Sequence, residues 1–274
     1  MHPILIDLGT HDLPLFGHRH LFLPTYGVVF AVAVLVAWIW FMRRAAAMDL
    51  DRDRAFNLTF YALLAGLLGA KLTLVIVDWR YYVENPAHLL GTLRSAGVLM
   101  GGVLAGALTF VLYASRHGMP ALALGDAAAA PLAVAQAVGR LGCFAAGCCY
   151  GIESTGAFAV TFTDPAANAQ TGVELNVPRV PTQIIQMASD LILAAVLTWL
   201  WRRRAGRPDG DVVWIYVGLY SVSRGIIEFW RGDVQRGLYL GEHVSTSQLF
   251  AIAGVVLAVT MLAVARLRRR EARV

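Results

Sequence analysis

Apolar stretches of about 20 residues recur along the 274-residue chain, and they restrict its fold more than any other feature. A helix of that length crosses the hydrocarbon core of a bilayer. Only 15% of the residues are charged, whereas a soluble domain carries about 25%. The sequence therefore predicts an all-α polytopic membrane protein. We predict seven transmembrane helices, at residues 25–42, 56–77, 97–115, 124–145, 182–201, 212–230 and 246–265.

The segments between the spans are too short for a separate soluble domain, so we treat residues 1–274 as a single integral-membrane domain. Residues 1–24 alternate apolar and polar side chains, which predicts an outward-facing arm at the membrane interface. Residues 146–181 hold the longest polar stretch, and we interpret them as a small external cap. Within it, the pattern predicts a strand over 158–163 and a turn at Asp164-Pro165.

The basic residues predict the orientation. Of the 23 lysines and arginines, 14 follow odd-numbered spans, and basic loops stay in the cytoplasm. The N-terminus is then outside and the C-terminus cytoplasmic. The first 24 residues lack a basic leader region, so we expect no cleaved signal peptide. Because topology accounts for the basic charge, we expect no nucleic-acid partner.

Charged side chains within the predicted spans are functional candidates, because charge is costly at membrane depth. Those that we single out are Lys71, Arg140, Arg224 and Glu228, with Arg231 at the mouth of the sixth span. The spacing of 224, 228 and 231 predicts one helical face, where Arg224 and Glu228 could simply neutralise each other. Glu228 cannot cancel all the cations, so an anion such as a phospholipid headgroup would supply the balance.

Arg140 stands out among these cations. Its guanidinium keeps its proton, and the residues from Gly139 to Gly151 include four glycines that allow a ligand close to the backbone. A buried arginine in a glycine-lined niche suits a phosphate. A second glycine-rich run, from Gly97 to Gly106, indicates close helix packing. Within that run the pair Gly101-Gly102 could also expose backbone N–H groups to an anion.

All three cysteines, Cys143, Cys148 and Cys149, fall within the same segment. They could bind a soft metal, form a disulfide, supply a nucleophile, or serve as small buried apolar residues. The sequence offers no fourth ligand nearby, so we expect no metal. We keep the hypothesis that one of the thiols is essential.

The order of these motifs resembles the prolipoprotein diacylglyceryl transferase family over nearly the whole chain. The segment Gly139-Arg140-x-Gly142-x-Phe144-x-x-Gly147-x-x-x-Gly151 is the most specific part of the match. The other matching pieces are Tyr26-Gly27, Gly69-Ala70-Lys71, Gly97-x-x-x-Gly101-Gly102, Pro181-Thr182-Gln183, Arg224-x-x-x-Glu228 and Ser247-Gln248.

The resemblance implies transfer of the diacylglyceryl group of phosphatidylglycerol to a lipobox cysteine of a preprolipoprotein, with release of glycerol 1-phosphate. It implies that Arg140 and Arg224 bind phosphate or act in catalysis, and that Glu228 orients Arg224. The substrate-binding residues that it implies are Tyr26, Lys71, Gly101, Gly102, Gly142, Gly151 and Arg231. It implies a bacterial inner (cytoplasmic) membrane, a site toward the outer leaflet, membrane lipids as partners, and no cofactor.

Several positions depart from the family pattern. Met100 stands where many members have His, and a thioether cannot deprotonate a thiol. Cys143 replaces Asn, Cys148 replaces Glu, and Lys71 replaces Arg. His243 could supply the missing base. Two alternatives remain: a divergent paralog that transfers a phospholipid-derived group to another acceptor, and a non-catalytic phospholipid-binding or transport protein.

Overall fold

The computed structural model describes the chain except for residues 1, 14–16, 94–96, 206, 234–236, 240–243 and 272–274. Within this described part, seven helices are long and apolar enough to cross a membrane, which confirms the predicted all-α polytopic fold. They are α1 (Thr25–Ala46), α2 (Arg52–Val77), α4 (Leu99–Arg116), α5 (Ala121–Ala146), α7 (Thr182–Arg202), α8 (Asp211–Ile227) and α9 (Thr246–Glu271). The connecting segments contain α3 (Trp79–Glu84), α6 (Pro165–Thr171) and the 3-10 helices Pro86–Leu93 and Glu228–Trp230.

Polar residues at the helix ends explain where the observed spans exceed the predicted ones. Asp51 caps α2, because its side chain accepts a 2.8 Å hydrogen bond from the backbone N–H of Arg54. The helix therefore begins at Arg52, four residues before residue 56, where we predicted the start of the span from hydropathy. At the other end of the preceding connection, Arg43 and Arg44 occupy the last turn of α1, where cations stabilise a helix C-terminus.

The N-terminal segment forms an antiparallel hairpin that the sequence pattern did not predict. Strand β1 (Ile4–Leu13) pairs with β2 (Gly17–Pro24), which leads directly into α1. Apolar side chains on the hairpin are exposed, among them Leu8 and Phe22. Exposed apolar side chains are typical of a segment that lies at the membrane–water interface. The interfacial placement of residues 1–24 stays a prediction.

The chain divides into two compact groups of residues, which we describe separately. The second group, Phe41–Leu124, contains the helix pair α2 and α4. These helices meet through glycines: a Cβ atom added to Gly102 would lie 2.8 Å from the carbonyl oxygen of Gly66. One added to Gly101 would lie 1.9 Å from Oγ1 of Thr73. The predicted packing role of the third-span glycines is therefore observed.

The first group, Met1–Trp40 with Gly125–Val274, contains α7, α8 and α9 with most of α1 and α5. Alanines of α5, including Ala130 and Ala133, pack against leucines of α7 such as Leu197. Asp126 of α5 binds the start of α8, accepting 2.8 Å hydrogen bonds from the backbone N–H groups of Gly210 and Val213. The carboxylate pairs with N–H groups at the start of α8 that have no partner within the helix. Its negative charge also interacts favourably with the positive end of the helix dipole.

The segment between α5 and α7 forms a small subdomain with its own core, and its external location stays a prediction. Strand β3 (Val160–Thr161) pairs with β4 (Pro178–Arg179), and Phe162 packs with Tyr150 and Val173. The predicted strand at 158–163 is thus shorter than expected. The predicted turn at Asp164-Pro165 is wrong, because Asp164 caps α6 by accepting a hydrogen bond from the N–H of Ala166. A third short pair, β5 (Leu238–Tyr239) with β6 (Val244–Ser245), precedes α9.

Candidate functional site

A small pocket in the first group gathers three of the cations singled out from the sequence. Helix α5 supplies Arg140, α8 supplies Arg224, and the end of the 3-10 turn after α8 supplies Arg231. The complete polar lining is Arg140, Cys149, Thr182, Gln186, Arg224 and Arg231. Three guanidinium groups that converge on one cavity repel one another, so the arrangement requires anionic partners.

Arg140 projects from the last two turns of α5 and is half-buried. Among the described residues, no carboxylate lies within salt-bridge distance of its guanidinium, although Asp190 of α7 contributes to its electrostatic surroundings. A guanidinium presents five N–H donors in a planar fork that matches a phosphate or a carboxylate. Arg140 is therefore well placed to bind an anion that enters the pocket.

Arg224 is held by a buried ion pair on its own helix face. Its Nη1 lies 2.5 Å from Oε2 of Glu228, a residue that is only 2% exposed, and its Nη2 donates a 3.0 Å hydrogen bond to Oγ of Ser247 on α9. The expected pairing of Arg224 with Glu228 is therefore observed. The carboxylate of Glu228 neutralises the charge of Arg224 and fixes the plane of its guanidinium. The guanidinium has five N–H donors, so some remain available for a ligand.

Arg231 reaches the pocket by a different route from the one that we predicted. A single helical face does not carry residues 224, 228 and 231, because α8 ends at Ile227 and tightens into the 3-10 turn. Arg231 then has an extended backbone and forms a bidentate ion pair with Asp233, with Nε donating to Oδ1 at 2.6 Å. The fork geometry fixes this arginine at the pocket wall.

Gly151 allows the segment that follows α5 and the chain just after α8 to approach closely. Its N–H donates to the carbonyl of Val180 at 2.9 Å, and it forms a bridge with Arg231. A Cβ atom added to Gly151 would lie 2.5 Å from the oxygen of Val180. The structure thus gives this glycine a packing role, and its contact with substrate stays a prediction.

The cysteines lie where α5 ends. Gly147 adopts the left-handed conformation, with φ of +78°. The N–H of Gly147 donates to the carbonyl of Phe144, and the N–H of Cys148 to that of Cys143. This pair of bonds is a Schellman motif, which brings the side chains before and after the turn together. Cys149 follows with φ of +61°, a strained conformation for a residue with a Cβ.

Two side chains at the start of α7 hold this turn in place. Thr182 donates a 2.7 Å hydrogen bond to the carbonyl of Cys149, and Gln183 donates one of the same length to the carbonyl of Cys148. Both side chains are almost fully buried. They explain why Pro181-Thr182-Gln183 belongs to the sequence pattern: it closes the loop whose residues line the pocket.

Tyr26 and Gly142 are also brought together. Tyr26 lies in the first turn of α1, and a Cβ atom on Gly142 would approach Cδ2 of its ring to 3.2 Å. Arg140 and the cysteines are among the groups that act electrostatically on the Tyr26 hydroxyl. The predicted contact of Tyr26 with substrate is compatible with this position and stays a prediction.

Comparison with known proteins decides the family. The family model for prolipoprotein diacylglyceryl transferase matches residues 15–264. The chain belongs to this family. A phosphatidylglycerol–prolipoprotein diacylglyceryl transferase of Clostridium tetani is 32% identical over 98% of this chain and 100% of its own length. Similar proteins occur in Clostridium perfringens, at 29% over 90% of this chain and 93% of the relative, and Dehalococcoides mccartyi, at 32% over 94% and 95%.

The second compact group holds the remaining residues singled out by the resemblance to the transferase family. Lys71 of α2 donates a 2.6 Å hydrogen bond from Nζ to the carbonyl of Thr92. Met100, Gly101 and Gly102 lie in the first turn of α4, and both glycines pack on α2. Substrate contacts of Lys71, Gly101 and Gly102 stay predictions. His243, the alternative base, lies outside the described residues.

Sequence reasoning missed two acidic residues within the membrane spans, Asp126 and Asp190. Asp190 of α7 is fully buried, and its Oδ1 accepts a 2.8 Å hydrogen bond from Gln186, which lines the pocket. Its Oδ2 has no hydrogen-bond partner among the described residues. The i, i+4 spacing of Gln186 and Asp190 on a largely apolar helix was the available signal.

Proposed function

We propose that this protein transfers the diacylglyceryl group of phosphatidylglycerol to the lipobox cysteine of a preprolipoprotein and releases glycerol 1-phosphate. The observation that carries the proposal is the charge arrangement of the pocket. Glu228 and Asp233 form ion pairs with Arg224 and Arg231, whereas no described carboxylate lies within salt-bridge distance of Arg140. One phosphodiester anion would balance that remaining positive charge.

The proposed chemistry uses this charge most strongly in the transition state. The acceptor sulfur forms a bond to the terminal glyceryl carbon while the bond from that carbon to the phosphate oxygen breaks. The phosphate thereby changes from a diester with one negative charge to a monoester that gains a second, and the thiol proton leaves to phosphate or water. Donors that point at the phosphate bind this developing charge more tightly than the starting lipid.

In this proposal Arg140 and Arg224 contact the phosphate. Glu228 and Asp233 position Arg224 and Arg231, since each carboxylate fixes the plane of a guanidinium. Tyr26 would contact the headgroup from the start of α1. Because the lipid donor and the peptide acceptor both reside at a membrane, a multi-pass protein places the pocket in the same membrane as its two substrates.

We further propose an inner-membrane location with the N-terminus outside, the C-terminus cytoplasmic and the site toward the outer leaflet. The excess of basic residues after odd-numbered spans supports this orientation. It also explains the basic net charge without a nucleic-acid partner.

The test is reconstitution of the purified protein with phosphatidylglycerol vesicles and a synthetic lipobox peptide. We expect a mass increase of the peptide and stoichiometric glycerol 1-phosphate, neither of which should form with a Cys→Ser peptide. Arg140→Ala should lower the rate by about 100-fold or more, as loss of one donor to developing charge does elsewhere. Arg116→Ala, an exposed arginine at the end of α4, is the matched control and should leave the rate unchanged.

A near-normal rate for folded Arg140→Ala would overturn the phosphate site. The departures at Met100, Cys143 and Cys148 favour a second candidate, in which the same lipid site serves another acceptor. Retention of phosphatidylglycerol by the wild type but not by Arg140→Ala, together with an unmodified peptide, would select that candidate.

A further inference from the structure

The side chains of Cys143, Cys148 and Cys149 form a cluster that the transfer reaction does not require. Their three sulfur atoms all lie within 4.8 Å of one another, and none is in a disulfide. These are all the cysteines of the chain. Among the described residues, no His, Asp or Glu joins this cluster.

The backbone holds the cluster together from both sides. The Schellman turn places Cys143 and Cys148 in contact, with Sγ of Cys148 lying 3.7 Å from the carbonyl of Cys143. Cys149 follows in the left-handed conformation, and its sulfur lies within 4.8 Å of the other two. Since Thr182 and Gln183 bind the two loop carbonyls, the thiols are held close together without a disulfide between them.

The spacing is close to that of a metal site. Sulfur lies about 2.3 Å from a bound Zn²⁺, so three thiolates around one ion are about 3.8 Å apart. A contraction of at most about 1 Å from the observed spacing would reach this geometry, and small side-chain rotations provide it. Thiolates select soft ions such as Zn²⁺ and Cu⁺ over harder ones.

Positive charge nearby favours the thiolate form that a metal needs. Arg231 and Arg140 act electrostatically on the Cys149 side chain, so their charges would stabilise a bound thiolate. Three thiolates with Zn²⁺ carry one net negative charge and with Cu⁺ two. Either complex would be stabilised by the two arginines.

We propose that Cys143, Cys148 and Cys149 form a three-thiolate site for a thiophilic d10 metal ion, either Zn²⁺ or Cu⁺. Binding forms three metal–sulfur bonds, releases the thiol protons to solvent and changes no oxidation state. Cys149 lines the arginine pocket, so a fourth coordination position of the ion would face that pocket. The ion would also join the end of α5 to the loop after it.

The test uses the full-length protein, purified with reductant under anaerobic conditions and stripped with a chelator. Co²⁺ is the first probe, because thiolate ligands give it intense near-ultraviolet charge-transfer absorption. We expect one Co²⁺ per chain, displaced by Zn²⁺, and three thiols that react with a thiol reagent only when the metal is absent. The unfolding temperature should rise with metal concentration, as for any ligand that binds only the folded state.

Cys143→Ser, Cys148→Ser and Cys149→Ser should each weaken binding about 100-fold or more, because each thiolate supplies about a third of the binding free energy of such a site. Ser154→Ala, in the segment between α5 and α7, is the control and should bind like the wild type. Titrations of Zn²⁺ and of Cu⁺, each against a competing chelator of known affinity, distinguish the ions by which one binds the site more tightly. An added small thiol should change the visible spectrum of the Co²⁺ site if a fourth coordination position is open.

Two results would overturn the proposal: failure of the reduced wild type to bind any of these ions, or undiminished binding by the triple serine variant, which would locate the ion elsewhere. A disulfide between any two of the cysteines in protein purified without reductant would also count against it. None of these readouts depends on turnover, so they are independent of whether the transfer reaction is observed.

Discussion

The helix pair α2–α4 and the arginine pocket use opposite means to bury polar backbone and side chains in an apolar surrounding. In the helix pair, Gly66, Gly69 and Gly102 let two backbones approach so closely that a Cβ atom at any of them would lie 3.4 Å or less from an atom of the other helix. At the pocket, large charged side chains fill the interior, and Arg224 and Arg231 are bound by carboxylates. The comparison shows that close helix packing depends on residues without a side chain, whereas a buried charge depends on an oppositely charged partner.

The two regions should therefore fail differently. Helices in lipid gain little hydrophobic energy from association, so α2 and α4 depend on van der Waals contact over their glycine faces. The pocket depends on a few strong pairs, since a buried charge that loses its partner is far more costly than a lost contact. Each of the following substitutions tests one side of this difference.

Glu228→Gln should produce the largest effect. The substitution keeps the size of the side chain but removes the anion that lies 2.5 Å from Nη1 of Arg224. Breaking one partner of a buried ion pair costs about 3–5 kcal/mol, which corresponds to roughly 10 °C in unfolding temperature for a protein of this size. Thermal unfolding in detergent measures the change.

Two further variants decide whether the loss comes from the unpaired charge. Glu153→Gln removes an exposed carboxylate 3.9 Å from Arg179 and should change stability by less than about 1 kcal/mol. Replacing both Arg224 and Glu228 with Met should be less destabilising than Glu228→Gln alone. Equal stability of Glu228→Gln and Glu153→Gln would show that the pocket does not depend on its ion pair.

Gly101→Ala tests the packed region and should have an intermediate effect. The new Cβ would lie 1.9 Å from Oγ1 of Thr73 and 2.9 Å from the backbone oxygen of Gly69, so the helices must separate. Overpacking of this kind costs about 1–3 kcal/mol. The matched control is Gly139→Ala on α5, where a Cβ meets nothing within 4 Å and the better helix propensity of alanine should slightly stabilise.

The measurement for this pair is again thermal unfolding, supported by the yield of monodisperse protein. Indistinguishable unfolding temperatures for the two alanine variants would contradict the glycine-face account of α2 and α4. A fall confined to Gly101→Ala would support it.

The spans and the cations of the site could be predicted from the sequence because both are local signals. Hydropathy over about 20 residues locates a membrane helix, and an arginine such as Arg140 is conspicuous within one. The helix ends could not be placed as well, because the side chain of Asp51 rather than hydropathy sets the start of α2. The roles of Thr182 and Gln183 were also hidden, since their partners lie 33 and 35 residues earlier in the chain.

The three thiols illustrate the same limit. Sequence spacing alone allowed four roles for Cys143, Cys148 and Cys149. The left-handed turns at Gly147 and Cys149 bring the sulfur atoms together, and only Gly147 carries a sequence signal for that conformation. A strained conformation at a non-glycine residue is imposed by its surroundings, and those surroundings come from a distant helix.

Thr182→Val should have the smallest effect of the three and asks whether the pocket loop depends on that distant helix. Valine has nearly the shape of threonine, so the change removes one 2.7 Å hydrogen bond and leaves the carbonyl of Cys149 unsatisfied. The expected cost is about 1 kcal/mol, at the low end for an acceptor that loses its donor, because Cys149 is only partly buried. Thr198→Val on the same helix is the control, because the threonine hydroxyl donates to the carbonyl of Ala194, four residues earlier.

If the loop is held from α7, only Thr182→Val should speed alkylation of the Cys149 thiol and lower the transfer rate severalfold. Equal behaviour of the two variants would mean that the Schellman turn alone orders the loop, and the pocket would then resemble the α2–α4 pair in depending on local backbone geometry.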